Sequence, residues 1–252
     1  MEKVQSADGT MIAFDHSGRG PALILVVGAF SDRSSTKTLA SRLGSDFTVY
    51  EYDRRGRGDS GDAPEYSIER EVEDLGAVVE AAGGSPFVFG HSSGGALALE
   101  AAAHGVPIRG LVVHEPPYTE GPSAEFADQL AQLVTSGRRA DAVERFLMLQ
   151  GMPTEVSDQM KAASYWDHML SFAHTLPYDV RLCNSGSVPV DRLAKIAVPT
   201  LALAGGASPA WAQASARAIA EAVPEGRHRV LAGQDHGVAD DVLVPVLREF
   251  FV

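Results

Sequence analysis

The stretch of sequence that decides the fold is residues 86–100, which read PFVFGHSSGGALALE. It opens with the apolar run PFVF, which is typical of a buried strand, and it closes with an alanine-rich segment that favours a helix. Between them GHSSG matches the pattern G-x-S-x-G, so Ser92 stands at a sharp turn from strand to helix. Gly90, Gly94 and Gly95 meet the steric demand of such a turn, because they carry no side chain. The stretch therefore predicts a nucleophilic serine at the tip of a strand–turn–helix unit.

Outward from this unit, short aliphatic runs alternate with helical segments along most of the chain. Predicted strands cover residues 2–6, 11–17, 22–27, 47–52, 87–89, 110–114, 200–204 and 228–231. Predicted helices cover residues 34–43, 68–82, 94–104, 209–223 and 240–251. The hairpin signal Asp8-Gly9 predicts an antiparallel first pair, whereas the later, nearly continuous apolar runs suit a parallel sheet buried on both faces. We expect an α/β fold, with a mostly parallel eight-stranded sheet and helices on both faces.

Residues 116–190 break this alternation, because they contain no convincing strand. Helical patterns cover residues 124–135, 140–149 and 155–176. We therefore expect residues 116–190 to form a helical lid inserted into a core made of residues 1–115 and 191–252. Within the lid, an apolar set shares one helical face by its spacing, namely Trp166, Met169 and Phe172. This face either packs on the core or forms the apolar wall of a substrate pocket, together with Tyr165.

The overall composition excludes several classes of protein. The chain has 252 residues with 21 Lys+Arg and 33 Asp+Glu, a net charge of −12, so it lacks the positive surface that nucleic acids or anionic membranes require. The single cysteine, Cys183, excludes a disulfide framework, and the histidines show no metal-ligand spacing. With no signal-peptide pattern and no membrane-length apolar run, we expect a cytoplasmic protein with a small-molecule substrate, no cofactor, no metal and no nucleic-acid or membrane partner. The oligomeric state stays open.

Together these motifs resemble the α/β-hydrolase superfamily, and the similarity spans nearly the whole chain. Besides GHSSG, residues 52–60 (YDRRGRGDS) are similar to the family's loop after the fourth strand. Residues 198–203 (VPTLAL) resemble the strand that re-enters the sheet after the lid, and residues 235–237 (DHG) follow the last strand, where the family carries its catalytic histidine. The resemblance implies chemistry more firmly than it implies a substrate.

The loop after the fourth predicted strand contains three arginines in four positions. A phosphate site is disfavoured there, because no Gly-Lys-Ser/Thr follows the glycines. We expect Arg54, Arg55 and Arg57 to brace the loop instead, by pairing with Asp53 and Asp59.

His236 is the predicted base of a catalytic triad, and a carboxylate is the predicted acid. A serine hydroxyl needs a base, and His236 follows the last predicted strand in the order serine, acid, histidine that the resemblance implies. Most relatives carry an Asp after the strand predicted at 200–204, but Ser208 stands there and cannot supply the negative charge that stabilises an imidazolium. Some relatives carry the acid one strand earlier, where this chain has Glu115, and a buried carboxylate there needs a partner. We expect Glu115 to be the acid, with Asp235 or no carboxylate as the alternatives.

The oxyanion hole needs two preorganised N–H donors. One is expected at Ser93, and the other at Ala29 or, one position later, at Phe30; we favour Ala29. The sequence thus predicts a cofactor-free serine hydrolase that cleaves a small or medium apolar carboxylic ester or lactone through an acyl-enzyme. The expected pocket residues are Phe30, Trp166, Met169 and Phe172. The alternatives are an acyltransferase or a cofactor-free perhydrolase that uses the same site, or a non-hydrolytic binding or biosynthetic protein on the same fold.

Overall fold

The protein forms one eight-stranded sheet, as seen in a computed structural model that describes residues 1–119, 124–183 and 186–252. The strands are β1 (Glu2–Gln5), β2 (Met11–Gly18), β3 (Ala22–Val26), β4 (Thr48–Tyr52), β5 (Phe87–His91), β6 (Gly110–His114), β7 (Thr200–Gly205) and β8 (Gly226–Leu231). Their order across the sheet is β1-β2-β4-β3-β5-β6-β7-β8. Strand β2 runs antiparallel to β1 and to β4, and the other neighbours are parallel. The predicted α/β fold, its strands and the antiparallel first pair are confirmed.

Helices cover both faces of the sheet. In chain order the described helices are α1 (Lys37–Leu43), α2 (Ile68–Ala81), α3 (Ser93–Ala103), α4 (Ala124–Thr135), α5 (Arg139–Leu149), α6 (Thr154–Met160), α7 (Trp166–Ser171), α8 (Leu176–Leu182), α9 (Val190–Leu193), α10 (Ala210–Ala222) and α11 (Asp240–Phe251). Side chains alternate between faces along a strand, so Leu23 of β3 belongs to the apolar cluster that includes α1 and α11, whereas Ile24 belongs to the cluster on the other face, which includes α2, α3 and α10. Among the described residues, no helix is both long and apolar enough to cross a membrane.

Helices α4 to α9, which we call the helical insertion, lie between β6 and β7. Residues 120–123 and 184–185 of the predicted lid lie outside the described residues. The single helix expected over 155–176 is wrong, because α6, α7, a short 3-10 segment (Ala173–Thr175) and the start of α8 occupy that range. No glycine or proline marks the break between α6 and α7, whereas Pro177 stands in the first turn of α8. Instead, Trp166 and Met169 of α7 are buried with Phe146, so tertiary packing overrides the local helical pattern.

The carboxyl ends of the central strands meet at one edge of the sheet. Gly28 follows β3, Ser92 follows β5 and Glu115 follows β6. Gly205 ends β7, and His236 lies in the loop after β8. Because parallel strands point the same way, five loops converge at this edge, where α/β sheets bind their ligands.

Candidate active site

Ser92 occupies the sharp turn between β5 and α3 with a strained backbone, φ 56° and ψ −129°. Its N–H donates a hydrogen bond to the carbonyl of His114 (2.9 Å). A Cβ atom on Gly94 would lie 2.3 Å from the carbonyl oxygen of Val26, and one on Gly28 would lie 2.8 Å from the Cβ of Ser92. Glycine at these two positions therefore lets the turn pack directly against the loop after β3.

Backbone strain is concentrated at this site. Three non-glycine residues have positive φ in the described part of the chain: Phe30 (56°), Ser92 (56°) and Glu115 (47°). All three line the same cavity. Each such conformation costs about 1–3 kcal/mol and persists where the surroundings over-determine it, which occurs most often at functional sites.

The cavity has a volume of about 350 Å³ and lies between the carboxyl edge of the sheet and the helical insertion. Ser92, Glu115 and His236 line it from the sheet side, and Phe146, Leu147 and Val180 line it from the insertion. The cavity thus combines apolar surface with a small number of ionisable groups, which is the usual make-up of a small-molecule site.

Glu115 and His236 are joined by a hydrogen bond of 2.8 Å between Oε2 and Nδ1. Oε1 of Glu115 accepts two further hydrogen bonds, from the N–H of Gly205 (2.8 Å) and from the hydroxyl of Ser208 (2.5 Å). Burial by itself would raise the pKa of Glu115, but these three donors outweigh it and hold the pKa at about 2. Glu115 is therefore ionised at neutral pH and can only accept, so Nδ1 of His236 carries the proton and Nε2 is free to act as a base.

The other candidate acid lies elsewhere. Oδ1 of Asp235 accepts a hydrogen bond from the N–H of Gly237 (2.9 Å), which closes a local turn, and Asp235 is exposed. Ser208, at the position where an Asp was expected, donates to the carboxylate of Glu115 instead. The structure thus brings Glu115, and not Asp235, to the imidazole of His236.

Two more histidines lie beside His236. Nε2 of His91 is 2.8 Å from the carbonyl oxygen of His236, and because a carbonyl only accepts, Nε2 of His91 carries a proton. Burial, with His236 and His114 nearby, lowers the pKa of His91 to about 3, so this ring is neutral. His114 stacks on His91 at 5.5 Å, and burial lowers its pKa to about 4. His91 therefore anchors the loop that carries His236.

Backbone donors surround the expected position of an oxyanion. Ser93 is the first residue of α3, so its N–H has no partner within the helix and lies where the helix dipole favours negative charge. Gly28, Ala29 and Phe30 line the same cavity. The two loops expected to form the oxyanion hole therefore both reach the cavity. Across the described residues, no group of three metal-ligating side chains is placed to hold a metal ion.

Comparison with known proteins identifies the family to which the chain belongs. Residues 23–244 match the sequence model of the alpha/beta hydrolase family. The chain belongs to this family. It is 48% identical to an alpha/beta hydrolase from Sphaerobacter thermophilus, whose crystal structure superposes with a TM-score of 0.92 over 100% of both chains. An enol-lactonase from Burkholderia xenovorans shares the fold at 20% identity, with a TM-score of 0.75 over 99% of both chains.

An N-formylmaleamate deformylase from Pseudomonas putida is 36% identical over 129 residues. That match covers 50% of this alpha/beta hydrolase and 48% of the deformylase, so the similarity spans about half the length of each protein.

The three arginines of the loop after β4 are buried in this alpha/beta hydrolase. The ion-pair partners predicted for them, Asp53 and Asp59, are wrong. Arg54 pairs with Glu71 and Asp179, and Arg57 pairs with Asp179. Arg55 pairs with Asp74 and Asp8. Asp53 and Asp59 pair with Arg33 instead. The side chains of the arginines point inward because they form ion pairs with carboxylates of α2 and of the helical insertion. These partners are distant in sequence, so the pattern of residues in the loop does not predict them.

The pocket wall also differs from expectation. Phe30 lines the cavity, but Trp166, Met169 and Phe172 are buried elsewhere in the helical insertion. Trp166 and Met169 pack among the helices of the insertion, and Phe172 packs edge-on against His168. The predicted pocket wall is therefore wrong for these three residues, and Trp166 and Met169 pack among the helices of the insertion rather than on the sheet.

Sequence reasoning missed two residues of this site, His91 and Asp179. His91 fills the variable position of the G-x-S-x-G motif, so the motif itself carries no signal for its bond to His236. Asp179 lies on α8 and lines the cavity. The signal for it was indirect, since three neighbouring buried arginines require more carboxylates than their own loop supplies.

Proposed function

We propose that this alpha/beta hydrolase is a serine hydrolase that cleaves small or medium apolar carboxylic esters or lactones through an acyl-enzyme. Ser92 is the nucleophile, His236 the base and Glu115 the acid that orients it. The N–H groups of Ala29 and Ser93 form the oxyanion hole. The observation that carries the proposal is the 2.8 Å hydrogen bond between Glu115 and His236, on the wall of the cavity that Ser92 also lines.

In the proposed reaction, Nε2 of His236 takes the hydroxyl proton of Ser92 as the serine oxygen attacks the carbonyl carbon. The negative charge of Glu115 stabilises the imidazolium that forms, and the two N–H groups stabilise the tetrahedral oxyanion. His236 then gives its proton to the leaving alcohol, and the acyl group stays on Ser92. A water molecule, deprotonated by His236 in turn, attacks the acyl carbon. The bond from that carbon to Oγ of Ser92 breaks, His236 returns the proton to Ser92, and the carboxylic acid leaves.

The substrate class follows from the wall of the cavity. Among the described residues that line it, none is a lysine or an arginine, whereas Phe146, Leu147, Val180 and Trp211 supply apolar surface. A carboxylate on the substrate would find no cation on the cavity wall and would lie near Asp179 and Glu115. The volume of about 350 Å³ suits an uncharged acyl group of modest size.

The test is the substitution Ser92→Ala, assayed on p-nitrophenyl butyrate and with a fluorophosphonate probe. We expect turnover and labelling to be lost while the midpoint of thermal unfolding stays nearly unchanged, since only one hydroxyl is removed. Ser41→Ala, at an exposed serine on α1, is the matched control and should behave as the wild type. Unaltered turnover by the Ser92 variant would contradict the mechanism.

A second candidate is cleavage of an N-formyl amide by the same residues. The 36% identity to the N-formylmaleamate deformylase over half of the chain favours it. The two candidates differ in the leaving group, an alcohol or an amine, so a formanilide assayed beside the ester distinguishes them.

A further inference from the structure

Arg57 lies beneath the loop that carries Ala29 and is not part of the cavity wall. Its side chain is fully buried. Nη1 donates to the carbonyl of Gly28 (2.6 Å), and Nη2 lies 2.8 and 2.9 Å from the two carboxylate oxygens of Asp179. A hydrogen bond from a guanidinium is about twice as strong as one between neutral groups, so the carbonyl of Gly28 is held firmly in one direction.

The carbonyl of Gly28 and the N–H of Ala29 belong to the same peptide unit. In a trans peptide they point in opposite directions, and none of the described peptide bonds is cis. Because Arg57 holds the carbonyl on its own side, the N–H of Ala29 is turned to the opposite side. A hydrogen bond to the carbonyl also polarises the peptide unit, which makes its N–H a stronger donor. Gly28 lies against the nucleophile, since a Cβ on it would be 3.3 Å from Oγ of Ser92.

Asp179 connects Arg57, which holds the Gly28–Ala29 peptide, to Ser93, whose N–H is the second expected donor of the oxyanion hole. It is buried on α8, and its Oδ1 accepts hydrogen bonds from the hydroxyl of Ser93 (2.6 Å) and from Nη1 of Arg54 (3.0 Å). Arg54 in turn donates to the carbonyl of Val27 (3.2 Å). One carboxylate from the helical insertion is therefore in contact with the residues behind both expected N–H donors.

We infer that Arg57 is a positioning residue of the oxyanion hole, which orients and polarises the Gly28–Ala29 peptide, with Asp179 as its counter-charge. The inference rests on the proposed function, because it concerns the same reaction. Arg57 does not touch the substrate. Its removal weakens the stabilisation of the tetrahedral anion while leaving the binding of the uncharged ester unchanged.

The test compares Arg57→Met and Arg57→Lys with Arg55→Met. Arg55 is the matched control, because it is equally buried in the same loop and bonds to Asp74, Asp8 and the carbonyl of Arg70, but not to Gly28. Loss of one oxyanion donor costs on the order of 100-fold in kcat, so weakening one should lower kcat for p-nitrophenyl butyrate about tenfold in Arg57→Met. KM should stay within about twofold, because the ground state does not use this interaction.

Two further readouts separate this role from a structural one. The rate of labelling by a fluorophosphonate should fall about as much as kcat, because that reaction also develops charge at the oxyanion position. Arg57→Lys, which keeps the positive charge, should recover part of both losses. Arg55→Met should lose as much thermal stability as Arg57→Met, yet keep kcat within about twofold of the wild type.

Removing Arg57 alone leaves Asp179 with one ionic partner fewer, and such a variant can fail to fold. The double variant Arg57→Met/Asp179→Asn removes both charges together and should therefore fold, with kcat as low as in Arg57→Met. If the wild type cleaves the ester, Ser92→Ala does not, and neither Arg57 variant falls below Arg55→Met in kcat or labelling rate, the inference is overturned and the proposed function stands. If the wild type neither cleaves the ester nor is labelled, both are overturned.

Discussion

At the scale of the residue, the site depends on a carboxylate that remains charged in a buried position. Glu115 is only 1% exposed, and burial disfavours its ionised form. Three donors, from His236, Ser208 and Gly205, reverse that preference. The hydroxyl of Ser208 thus stabilises the negative charge of Glu115, whereas an Asp at position 208 would itself have supplied a negative charge.

Glu115→Gln removes that charge and keeps the size of the side chain. We expect kcat for p-nitrophenyl butyrate to fall by about 10³–10⁴, because the neutral amide neither stabilises the imidazolium nor fixes the tautomer of His236. Steady-state kinetics at pH 7.5 measure this loss. Glu51→Gln, at another buried glutamate whose partner is Thr36, is the control and should retain activity. A loss under about tenfold would show that Glu115 is not the acid.

The low pKa of Glu115 also predicts how stability depends on pH. Its folded-state pKa of about 2 lies below its ordinary value of 4.5, so the ionised form stabilises the fold above pH 4.5, and this contribution is lost as the pH falls towards 2. The free energy of unfolding of the wild type should exceed that of Glu115→Gln by a margin that shrinks by about 3 kcal/mol over that range. Urea unfolding of both proteins at pH 6, 4 and 3 measures the margin, of which about 2 kcal/mol should be lost at pH 3. A constant margin would refute the assignment.

At the scale of the element, the turn between β5 and α3 depends on close approach of backbones. A Cβ on Gly94 would lie 2.3 Å from the carbonyl of Val26, and that backbone cannot move without displacing β3. Gly76 of α2 offers the opposite case, since nothing lies within 4 Å of a Cβ placed on it.

These two glycines give a matched pair of substitutions. Gly94→Ala should lower the free energy of unfolding by more than about 2 kcal/mol, because the added methyl group forces β3 and α3 apart. Gly76→Ala should raise it by about 0.5–1 kcal/mol, because alanine loses less backbone entropy in a helix. Urea unfolding monitored by circular dichroism gives both values. A tolerated Gly94→Ala would mean that α3 does not pack against the loop after β3 as described.

The elements differ in how far sequence could predict them. Strands such as β3 and β6 were predictable, because continuous apolar runs between turn residues leave few alternatives. The break between α6 and α7 was not, since residues 161–165 contain neither glycine nor proline. At the site, the motif around Ser92 has a local pattern, and chain order favoured His236. The pairing of Arg57 with Asp179 joins residues 122 positions apart, and no local pattern encodes such a contact.

At the scale of the whole molecule, the net charge of the protein and the lining of the cavity both disfavour an anionic substrate. The chain carries a net charge of −12, and the described residues that line the cavity include no lysine or arginine. Arg54 and Arg57, which contact Asp179 of the cavity wall, are neutralised by Glu71 and Asp179. An anionic substrate is therefore repelled at long range by the molecule and meets no cation on the cavity wall.

The negative net charge and the absence of cations among the described cavity residues predict how the preference for a neutral over an anionic ester depends on ionic strength. A p-nitrophenyl monoester of succinate and p-nitrophenyl butyrate have similar sizes and differ in one carboxylate. At low ionic strength we expect kcat/KM for the neutral ester to exceed that for the anionic one by about 100-fold, because both field and cavity disfavour the anion. Raising the ionic strength from about 10 mM to 1 M shortens the Debye length from about 30 Å to 3 Å. This change should raise kcat/KM several-fold for the anionic ester and leave the neutral one within about twofold. A preference for the anionic ester, or equal salt dependence of the two, would contradict the substrate class inferred from the cavity.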